Sequence, residues 1–539
     1  MNATTKNKLV RVIRGVLIAA VIAVVVAGAV YAATHPAGSM YATAWALIPP
    51  VVAIGLALAT KEVYSSLFIG IVVGALFYSG FSFEGTMVHV FEEGMIQVLT
   101  DPGNIGIIIF LVVLGILVCL MNRAGGSAAF GRWASTHIKS RVGAQLATML
   151  LGVCVFVDDY FNCLTVGSVM RPVTDSHKVS RTKLAYLIDS TAAPVCIIAP
   201  ISSWAAAVAG FVEGEDSMSL FVQAIPFNFY ALLTIVMLLG LILLKVDYGP
   251  MASYERKAML EENVVTDEDS AEQAKVNPNG KVINLLLPIA LLIICCVIGI
   301  IYTGGFFSGT SFVESFANST ASLGLAMGSV VALILTLIFF GIRRVMSMED
   351  MMDCVPEGFK TMVPAILILT FAWTLKAMTD SLGAAPFVEG LIKGSAQNLM
   401  MFLPAIIFVI ACFLAFATGT SWGTFGILIP IVVDAFSTDH TLMIIAISAC
   451  MAGAVCGDHC SPISDTTIMA SAGAQCHHVD HVSTQLPYAM SVAVISFVVY
   501  LLAGFVKSAW ICLPVGAVLV IGFLLLVKTI QKRKAAKAA

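Results

Sequence analysis

Long apolar stretches, separated by short polar segments, set the pattern of this chain of 539 residues. A helix that crosses the hydrocarbon core of a bilayer needs about 20 apolar residues, and many of these stretches approach that length. The pattern therefore predicts an all-α polytopic membrane protein. The uninterrupted apolar stretches fall at residues 16–33, 42–59, 62–80, 104–121, 226–245, 283–302, 323–341, 364–383, 486–506 and 509–528.

Four further apolar tracts contain polar residues where a spanning helix would lie in hydrocarbon. The tracts 143–174 and 400–434 carry polar clusters at their middles, and we predict that each is a re-entrant hairpin. The tracts 182–210 and 441–473 are interrupted by Ser, Thr, Pro and Asp, and we predict two discontinuous helices. Irregular backbone is tolerated at membrane depth only where it lines a polar cavity or is buried in protein. These breaks are therefore interpreted as an ion or substrate site.

Short sequence matches recur at a fixed spacing and indicate an internal duplication. Ala199–Ser203 matches Ser461–Asp465 at an offset of 262 residues, and Phe91–Met95 matches Val355–Phe359 at an offset of 264 residues. Each copy holds five predicted crossings and one hairpin. Because five is an odd number, the second copy is inserted upside down relative to the first. Inverted repeats whose broken helices meet near the bilayer midplane are typical of secondary transporters.

The duplication divides the chain into five parts. They are an extra amino-terminal helix (1–41), a first transport repeat (42–245), a charged cytoplasmic linker (246–282), a second, inverted repeat (283–507), and a carboxyl-terminal helix with a basic tail (508–539). Lys and Arg cluster in alternate loops, which places both termini and the linker in the cytoplasm. This arrangement predicts about 12 crossings of the plasma or inner membrane. A cleaved signal peptide is the alternative for the first apolar stretch, which ends in Ala-Val-Tyr-Ala-Ala.

Composition supports the membrane class and excludes others. Hydrophobic residues make up 59% of the chain and charged residues 11%, a balance that soluble globular domains do not show. The formal net charge of -3 points to no nucleic-acid partner. The 13 cysteines are scattered, mostly in apolar stretches and without a CxxC pair, which is typical of packing residues rather than of a disulfide framework.

The polar breaks supply the candidate site residues, and we expect the four breaks to converge at the centre of the membrane. Carbonyl groups at half-helix ends, hydroxyl groups and a carboxylate together form the oxygen cage that a small alkali cation requires. The candidate ion- or substrate-binding residues are Asp158, Asp159, Asn162, Thr165, Asp189, Ser202, Ser203, Thr418, Thr420, Ser421, Asp458, Ser461, Ser464, Asp465 and Thr466. The candidate Na+ ligands among them are Asp158, Asp458 and Asp465.

Asp458 and Asp465 provide the strongest chemical argument. They lie seven residues apart with Pro462 between them, so a break at the proline directs both carboxylates inward. Desolvation favours the protonated form of a buried carboxyl group and a bound cation favours the ionised form, which couples proton release to cation binding. The structural alternative is that these aspartates cap helix ends or pair with a base. For Asp189, near a predicted helix start, capping and binding are equally supported.

Other polar groups in the apolar stretches are given structural interpretations. Lys376 either neutralises an intramembrane carboxylate or, as we prefer, extends its ammonium group towards the outer face. The cluster of Cys476, His477, His478 and His481 matches no standard zinc spacing, and a structural or solvated role at the cytoplasmic rim is preferred. No phosphate-binding loop or nucleophile elbow stands in a suitable context, so the sequence predicts neither an ATP-driven pump nor an enzyme.

Several motifs of the chain closely resemble those of the NhaC-type sodium/proton antiporter family. They are Gly457–Thr467, Ser471–Ala474, Asp480–Ala489 and Phe156–Asn162 with the following Arg171 and Pro172. The resemblance covers roughly residues 42–507 and implies the fold of the ion-transporter superfamily, with a mobile transport domain, elevator-like movement and a homodimer. By motif, the resemblance implies a site lined by Asp158, Asp159, Asn162, Ser202, Thr420, Ser421, Asp458, Ser464 and Asp465.

The sequence therefore predicts a secondary active transporter that exchanges Na+ for H+ through buried aspartates and has no cofactor. The alternative on the same fold is a sodium-coupled transporter or exchanger of organic acids or amino acids, because members of the resembled family differ in cargo. The absence of an intramembrane Arg to bind an organic carboxylate favours the bare cation. A third alternative is an intramembrane metal-dependent hydrolase that uses His459, Asp458 and Asp465.

Overall fold

The structure is a computed structural model that describes residues 3–36, 38–60, 62–156, 159–199, 217–260, 277–384, 401–435 and 439–538, together with Trp204, Val208, Pro386, Phe387 and Gly390. Those residues form helices joined by short turns, without a β-strand among them. A π-helical segment, His89–Ile96, joins the fourth and fifth helices. The helices are α1 (Ala3–Thr34), α2 (Ile48–Thr60), α3 (Tyr64–Tyr78), α4 (Phe83–Val88), α5 (Gln97–Thr100), α6 (Pro102–Arg123), α7 (Gly126–His137), α8 (Arg141–Cys154), α9 (Asp159–Ser176), α10 (Arg181–Asp189), α11 (Ala193–Cys196), α12 (Ser217–Ala224), α13 (Phe229–Leu244), α14 (Met251–Leu260), α15 (Ile283–Thr303), α16 (Phe312–Ala317), α17 (Ala321–Ile342), α18 (Met348–Ser381), α19 (Leu403–Thr418), α20 (Ser421–Ala435), α21 (His440–Cys460), α22 (Asp465–Ala474), α23 (His478–Val506) and α24 (Ala509–Ala538).

The long apolar helices lie at the predicted stretches. Seven described helices are long and apolar enough to cross a membrane, or eight if the bent pair Leu220–Phe227 and Phe229–Leu244 is one span. The chain is therefore a helical membrane protein that crosses the bilayer several times. Other apolar helices are shorter, such as α2 with 13 residues and α3 with 15 residues, so the total of about 12 crossings stays a prediction.

Two large apolar clusters form the interior of the protein. One brings together α13, α19, α21, α23 and α24, with Phe408 and Tyr500 among its buried residues. The other brings together α3, α6, α9, α15, α18 and α22, with Phe110 and Phe161 among its buried residues. Phe416, at the end of α19, packs against both clusters. The polar breaks next to Phe416 therefore lie where the two clusters meet.

Glycines permit the closest helix contacts beside these breaks. A Cβ atom at Gly457 of α21 would collide with the carbonyl oxygen of Cys412 in α19. Gly167 of α9 and Gly473 of α22 meet in the same way, backbone against backbone. Small residues let helices approach closely inside membranes, where packing replaces the hydrophobic effect as the source of association. These contacts hold α9 and α19 directly against the two halves of the broken helix α21–α22.

Each tract that the sequence predicts as a hairpin forms two helices in contact. The first tract forms α8 and α9, and the second forms α19 and α20. Gly419 ends α19 with a φ of +68°, a conformation that glycine adopts without steric cost. Both predicted discontinuous helices are interrupted, since α10 ends at Asp189 and α21 ends at Cys460. The re-entry of the hairpins and the inversion of the two halves stay predictions.

The break between α21 and α22 has a local cause. Ser461 leaves the helical conformation with a ψ of 130°, and Pro462 cannot donate a backbone hydrogen bond. The Ser464 hydroxyl group then accepts a hydrogen bond from the Thr467 amide at 3.3 Å and caps the new helix. Asp465 is therefore the first residue of α22, where the helix dipole stabilises a carboxylate.

The outer parts of the chain frame this centre. The helix α1 packs against α2 and α3, and α14 of the linker packs against α10. Residues 261–276 of the linker lie outside the described residues. The division of the chain into five parts stays a prediction.

Candidate ion-binding site

Asp458 lies at the carboxyl end of α21 with only 4% of its surface exposed. Its Oδ2 atom accepts a hydrogen bond from the Ser421 hydroxyl group at 2.8 Å and one from the Thr466 hydroxyl group at 3.5 Å. The Ser464 hydroxyl oxygen lies 2.9 Å from Thr466 Oγ1. A carboxylate and three hydroxyl groups therefore meet at one buried point, and oxygen ligands of this kind suit a hard cation.

Asp458 is buried close to two other acidic residues. Taking an ionised carboxylate out of water is costly unless a counter-charge compensates for it. The carboxyl groups of Asp465 and Asp189 are near enough to interact with Asp458. Three acidic side chains therefore lie together beside the break.

Asp465 binds a different set of groups. Its Oδ2 atom accepts hydrogen bonds from the Tyr160 hydroxyl group and from Trp373 Nε1, both at 3.2 Å. Tyr160 belongs to α9 and Trp373 to α18, so one carboxylate oxygen joins three helices. Neutral donors stabilise an ionised carboxylate without cancelling its charge.

A polar cavity of about 330 Å³ opens beside Asp465, and we call it the Lys376 cavity. Its lining combines carboxylates, hydroxyl groups, one amide and one ammonium group with a few apolar residues. The lining residues are Val98, Asp101, Asn104, Ala372, Trp373, Lys376, Ala377, Asp380, Thr418, Gly419, Thr420, Ile463 and Asp465. Lys376 Nζ donates a hydrogen bond to Asp380 at 2.6 Å, and 37% of the lysine side chain is exposed. Lys376 thus extends away from the apolar interior, into the cavity whose wall includes Asp465.

Asn162 connects the breaks of the first half of the chain. Its amide group donates hydrogen bonds to the carbonyl oxygens of Gly152 at 2.6 Å, Val155 at 2.9 Å and Thr191 at 3.1 Å. These carbonyl groups lie at the end of α8 and just beyond α10, where helix ends leave acceptors without partners. The observed contacts of Asn162 are structural, and its role as an ion ligand stays a prediction.

The remaining candidates of the first half lie on α9 or outside the described residues. Asp159 begins α9 and Thr165 follows two turns later, and both side chains are buried. The Thr165 hydroxyl group has no hydrogen-bond partner among the described residues. Asp158, Ser202 and Ser203 lie outside the described residues.

Asp189 is the centre of a second buried polar group. It is the last residue of α10, so the prediction that it lies near a helix start is wrong. The start of α10 is capped by Ser180, whose hydroxyl group accepts a hydrogen bond from the Lys183 amide at 3.1 Å. Asp189 Oδ2 accepts hydrogen bonds from His481 Nε2 at 3.1 Å and from Gln485 Nε2 at 2.6 Å. Both donors belong to α23, so Asp189 ties the first broken helix to the second half of the chain.

His459 connects this second group to Asp458, its neighbour in the sequence. His459 Nδ1 lies 2.9 Å from the Tyr230 hydroxyl group, and Nε2 lies 3.3 Å from the Ser190 hydroxyl group. The distance from His459 Nε2 to Asp189 Oδ2 is 3.8 Å. The ends of α10 and α21 therefore meet through His459, and the convergence of all four breaks stays a prediction.

The histidines near the start of α23 have structural contacts. His478 Nδ1 lies 3.1 Å from the Ser471 hydroxyl group, and Nε2 lies 2.7 Å from the Pro462 carbonyl oxygen. His478 and His481 are buried, so of the two predicted roles the structure places them in the structural one. Within the part of the chain that the structure describes, His, Cys, Asp and Glu form no group of three arranged to hold a metal ion.

Trp373, Gln485 and Tyr230 contact the site, and the sequence does not single them out. Trp373 lies in an apolar stretch, where a tryptophan is ordinarily a packing or interfacial residue. Gln485 lies 296 positions from Asp189, so only the folded chain shows their contact. The available signals for Gln485 were its place within the Asp480–Ala489 motif and its polar amide at the edge of a spanning helix.

The chain matches the model of the Na+/H+ antiporter family over residues 184–505. An uncharacterised protein of Haemophilus influenzae is 38% identical over 482 residues, which cover 86% of this chain and 91% of that protein. The malate-2H(+)/Na(+)-lactate antiporter of Bacillus subtilis is 28% identical over 38% of this chain and 42% of its own length. An uncharacterised Na(+)/H(+) antiporter of H. influenzae is 32% identical over 29% of this chain and 33% of its own length. The chain belongs to the Na+/H+ antiporter family, whose members are transporters rather than enzymes.

Proposed function

We propose that this protein is a secondary active transporter that exchanges Na+ for H+, with Asp458 and Asp465 as the residues that bind the ions. The observation that carries the proposal is the buried group of Asp458, Ser421, Ser464 and Thr466 at a helix break. A carboxylate with neutral hydroxyl groups binds either a proton or a small cation, and no resident cofactor is needed.

Competition for one carboxylate would couple the two ions. A proton on Asp458 removes the negative charge that Na+ requires, and a bound Na+ favours the ionised form. The empty, ionised form is disfavoured by burial and by the charges of Asp465 and Asp189. If the site changes sides of the membrane only when Na+ or a proton occupies it, each Na+ moved in one direction is matched by protons moved in the other.

Asp465 would receive the ion first, because it lies on the wall of the Lys376 cavity. Asp458 lies three residues before the break at Ser461–Ser464 and Asp465 follows it directly, with Thr466 in contact with Asp458. An ion that reaches Asp465 is therefore next to the hydroxyl groups that surround Asp458. Asp158, Asp159, Thr165, Asp189, Ser202, Ser203, Thr418, Thr420 and Ser461 complete the proposed site, and Asn162 holds the helix ends beside it.

The proposal includes an architecture of two inverted repeats with re-entrant hairpins α8–α9 and α19–α20 and about 12 crossings. The two apolar clusters that meet at the breaks support a scaffold and a transport domain that move against each other, elevator-like. We also propose that both termini face the cytoplasm, since basic residues surround them, and that the protein forms a homodimer. The plasma or inner membrane is the proposed location.

An organic substrate is the second candidate, favoured by one observation. The Lys376 cavity combines an ammonium group with the amino ends of α20 and α22, and helix amino ends attract carboxylates. The Bacillus subtilis relative is named for malate and lactate together with H+ and Na+. On this reading, Na+ binds at Asp458 while a small organic acid or amino acid occupies the cavity.

A sodium jump on proteoliposomes tests the proposal. The vesicles hold an impermeant pH dye, and external Na+ is raised while the membrane potential is clamped with potassium and valinomycin. Exchange expels protons, so the interior becomes alkaline, and Asp458→Asn and Asp465→Asn should abolish the response. Asp353→Asn is the matched control, because the Asp353 side chain is 62% exposed and distant from the breaks. A wild-type protein that gives no pH change at any pH contradicts Na+/H+ exchange, and repeating the jump with organic acids then tests the second candidate.

A further inference from the structure

A second cavity lies at the other end of α22. It has a volume of about 640 Å³, and we call it the Glu62 cavity. It is formed by the start of α3, the first half of α18 and the carboxyl half of α22. The lining residues are Glu62, Val63, Tyr64, Thr361, Pro364, Ala365, Ile368, Ile468, Ser471, Ala472, Gln475, Cys476, His477 and His478.

The two cavities share the same two helices, and they open at opposite ends of them. Along α18, the Glu62 cavity ends at Ile368 and the Lys376 cavity begins at Ala372, a separation of four residues or about 6 Å. Along α22, Asp465 lines one cavity and Ile468 lines the other, a separation of about 4.5 Å. Only about one helical turn of each helix therefore separates the two cavities.

The contacts in that single turn are few and specific. Trp373 Nε1 and the Tyr160 hydroxyl group both donate to Asp465 Oδ2 at 3.2 Å. Ile368 and Ile468, both buried, are the residues of α18 and α22 that line the Glu62 cavity nearest in sequence to these hydrogen bonds. The two hydrogen bonds between the cavities thus both end on the carboxylate of Asp465, which we propose as an ion ligand.

The electrostatics of the Glu62 cavity suit a departing cation. The carboxyl end of α22 reaches it with Gln475, and the carboxyl end of a helix favours positive charge. Partial desolvation acts to raise the pKa of Glu62, but hydrogen bonds from the Ser65 hydroxyl group and from the Ser65 and Tyr64 amides outweigh it and lower the pKa. Glu62 is therefore a negative charge at the wall of this cavity.

We propose that Asp465 takes its ion from the Lys376 cavity and releases it to the Glu62 cavity as α22 moves along α18, and that the hydrogen bonds of Trp373 and Tyr160 to Asp465 form the gate between the two cavities. The proposal rests on the function proposed above and extends it to a pathway. An Na+ ion or a proton on Asp465 Oδ2 competes with both donors for the same oxygen lone pairs. The gate is therefore weakened only while an ion occupies Asp465. The empty carboxylate stays bound to both donors, so that Na+ moving one way requires a proton moving the other way.

Thiol labelling tests the pathway without any transport assay. Native Cys476 lines the Glu62 cavity, and Ala377→Cys places a thiol in the Lys376 cavity. A small, membrane-impermeant thiosulfonate is added to one side of sealed vesicles, on ice and without sodium. Peptide mass spectrometry then identifies the labelled cysteines, and the Cys476→Ser variant serves as the blank. We expect Cys476 and Ala377→Cys to react from opposite sides. Reaction of both from the same side, or of neither from any side, overturns the pathway.

The gate is tested by the ratio of sodium to proton flux. Trp373→Phe and Tyr160→Phe, alone and combined, remove only the donors and preserve the rings. Because a hydrogen bond to a charged group shifts an equilibrium by about tenfold or more, the double variant should raise sodium flux without proton counter-flux at least about tenfold. Trp510→Phe is the control, since Trp510 is 90% exposed. An unchanged flux ratio in the double variant overturns the gate. A wild-type protein that moves no protons contradicts Na+/H+ exchange instead, and the labelling result then decides the pathway.

Discussion

The hydroxyl group of Ser421 donates a 2.8 Å hydrogen bond to the carboxylate of Asp458, and this contact joins the amino end of α20 to the carboxyl end of α21. Ser421 is buried and also lies 3.3 Å from the Ala454 carbonyl oxygen, so its hydroxyl group is held in place. The hydroxyl oxygen keeps lone pairs that a cation on Asp458 can use. The contact is therefore both a structural link and a ready ligand.

Ser421→Ala should weaken Na+ binding more than it weakens turnover. The substitution removes one oxygen ligand and one donor that stabilises the ionised form of Asp458, so protons compete more effectively. A hydrogen bond to a charged group corresponds to about 1.5–3 kcal/mol, which predicts that the apparent Na+ affinity falls by at least about tenfold. The measurement is the Na+ dependence of the pH-dye response. Ser253→Ala, on the exposed side of α14, is the control, and an equal loss in both variants would remove Ser421 from the site.

Asn162→Ala should destabilise the fold rather than alter ion affinity. The substitution leaves the carbonyl oxygens of Gly152, Val155 and Thr191 without their shared donor in a buried place. Each unsatisfied buried polar group costs about 1–3 kcal/mol. A lower midpoint of thermal unfolding in detergent is expected, while any folded fraction retains the wild-type Na+ dependence. Asn162→Asp should be at least as damaging, because it places carboxylate oxygens against carbonyl oxygens; a stable Asn162→Asp variant with altered ion affinity would assign Asn162 to the ligands instead.

The sequence predicts most of the fold because hydrocarbon imposes a simple rule. A chain that spans a bilayer needs long apolar helices, and polar breaks inside them stand out against that background. The interruptions at Ser461–Ser464 and after Asp189 were visible for this reason, although the position of Asp189 within α10 was not. The helix that contains Asp189 starts at the Ser180 cap and ends before the Ser-Thr-Ala-Ala-Pro interruption. A hydropathy pattern alone shows the interruption but does not show on which side of it the helix starts.

The contacts within the site depend on distances that no local pattern contains. Trp373 and Asp465 are 92 positions apart, and His481 and Asp189 are 292 positions apart. Local pattern indicates which residues are costly in hydrocarbon, and therefore identified Asp458, Asp465 and Asp189. It does not indicate which neutral partner each one finds, because a tryptophan or glutamine in an apolar helix serves many purposes.

Acid should destabilise the contact between the linker and α10. Lys183 Nζ lies 2.6 Å from Asp247 Oδ1, and the Tyr488 hydroxyl group donates to the same oxygen at 2.8 Å. Burial acts to raise the pKa of Asp247, but the Lys183 ammonium group and the Tyr488 hydroxyl group outweigh it and lower the pKa. A carboxyl group with a lowered folded-state pKa contributes stability above its unfolded value of about 3.9 and loses it as pH falls further. The midpoint of thermal unfolding should therefore fall more steeply below about pH 4 in the wild type than in Asp247→Asn.

Asp247→Asn should itself lower stability near neutral pH. Lys183 is 1% exposed, and the substitution leaves its ammonium group buried without a counter-charge, which costs about 3–5 kcal/mol. Lys183→Met combined with Asp247→Leu should recover most of the loss, because an apolar pair of similar volume replaces the ion pair. A double variant as unstable as Asp247→Asn alone would show that the partners act separately.

Lys376→Met separates the two candidate substrates. The ammonium group lies in the cavity that leads to Asp465 and bonds Asp380, 2.6 Å away. If a bare cation is transported, removing this positive charge makes the cavity more attractive to Na+. The apparent Na+ affinity should then rise severalfold at low ionic strength. It should approach the wild-type value at high ionic strength, because salt screens the charge in the cavity. If a small organic anion is the cargo, the same substitution removes its counter-charge, and substrate-dependent transport should fall about tenfold or more. Lys507→Met, in an exposed pair with Asp439, is the matched control. A Lys376→Met variant that matches this control in both assays would place Lys376 outside the pathway, whatever ion or acid the protein carries.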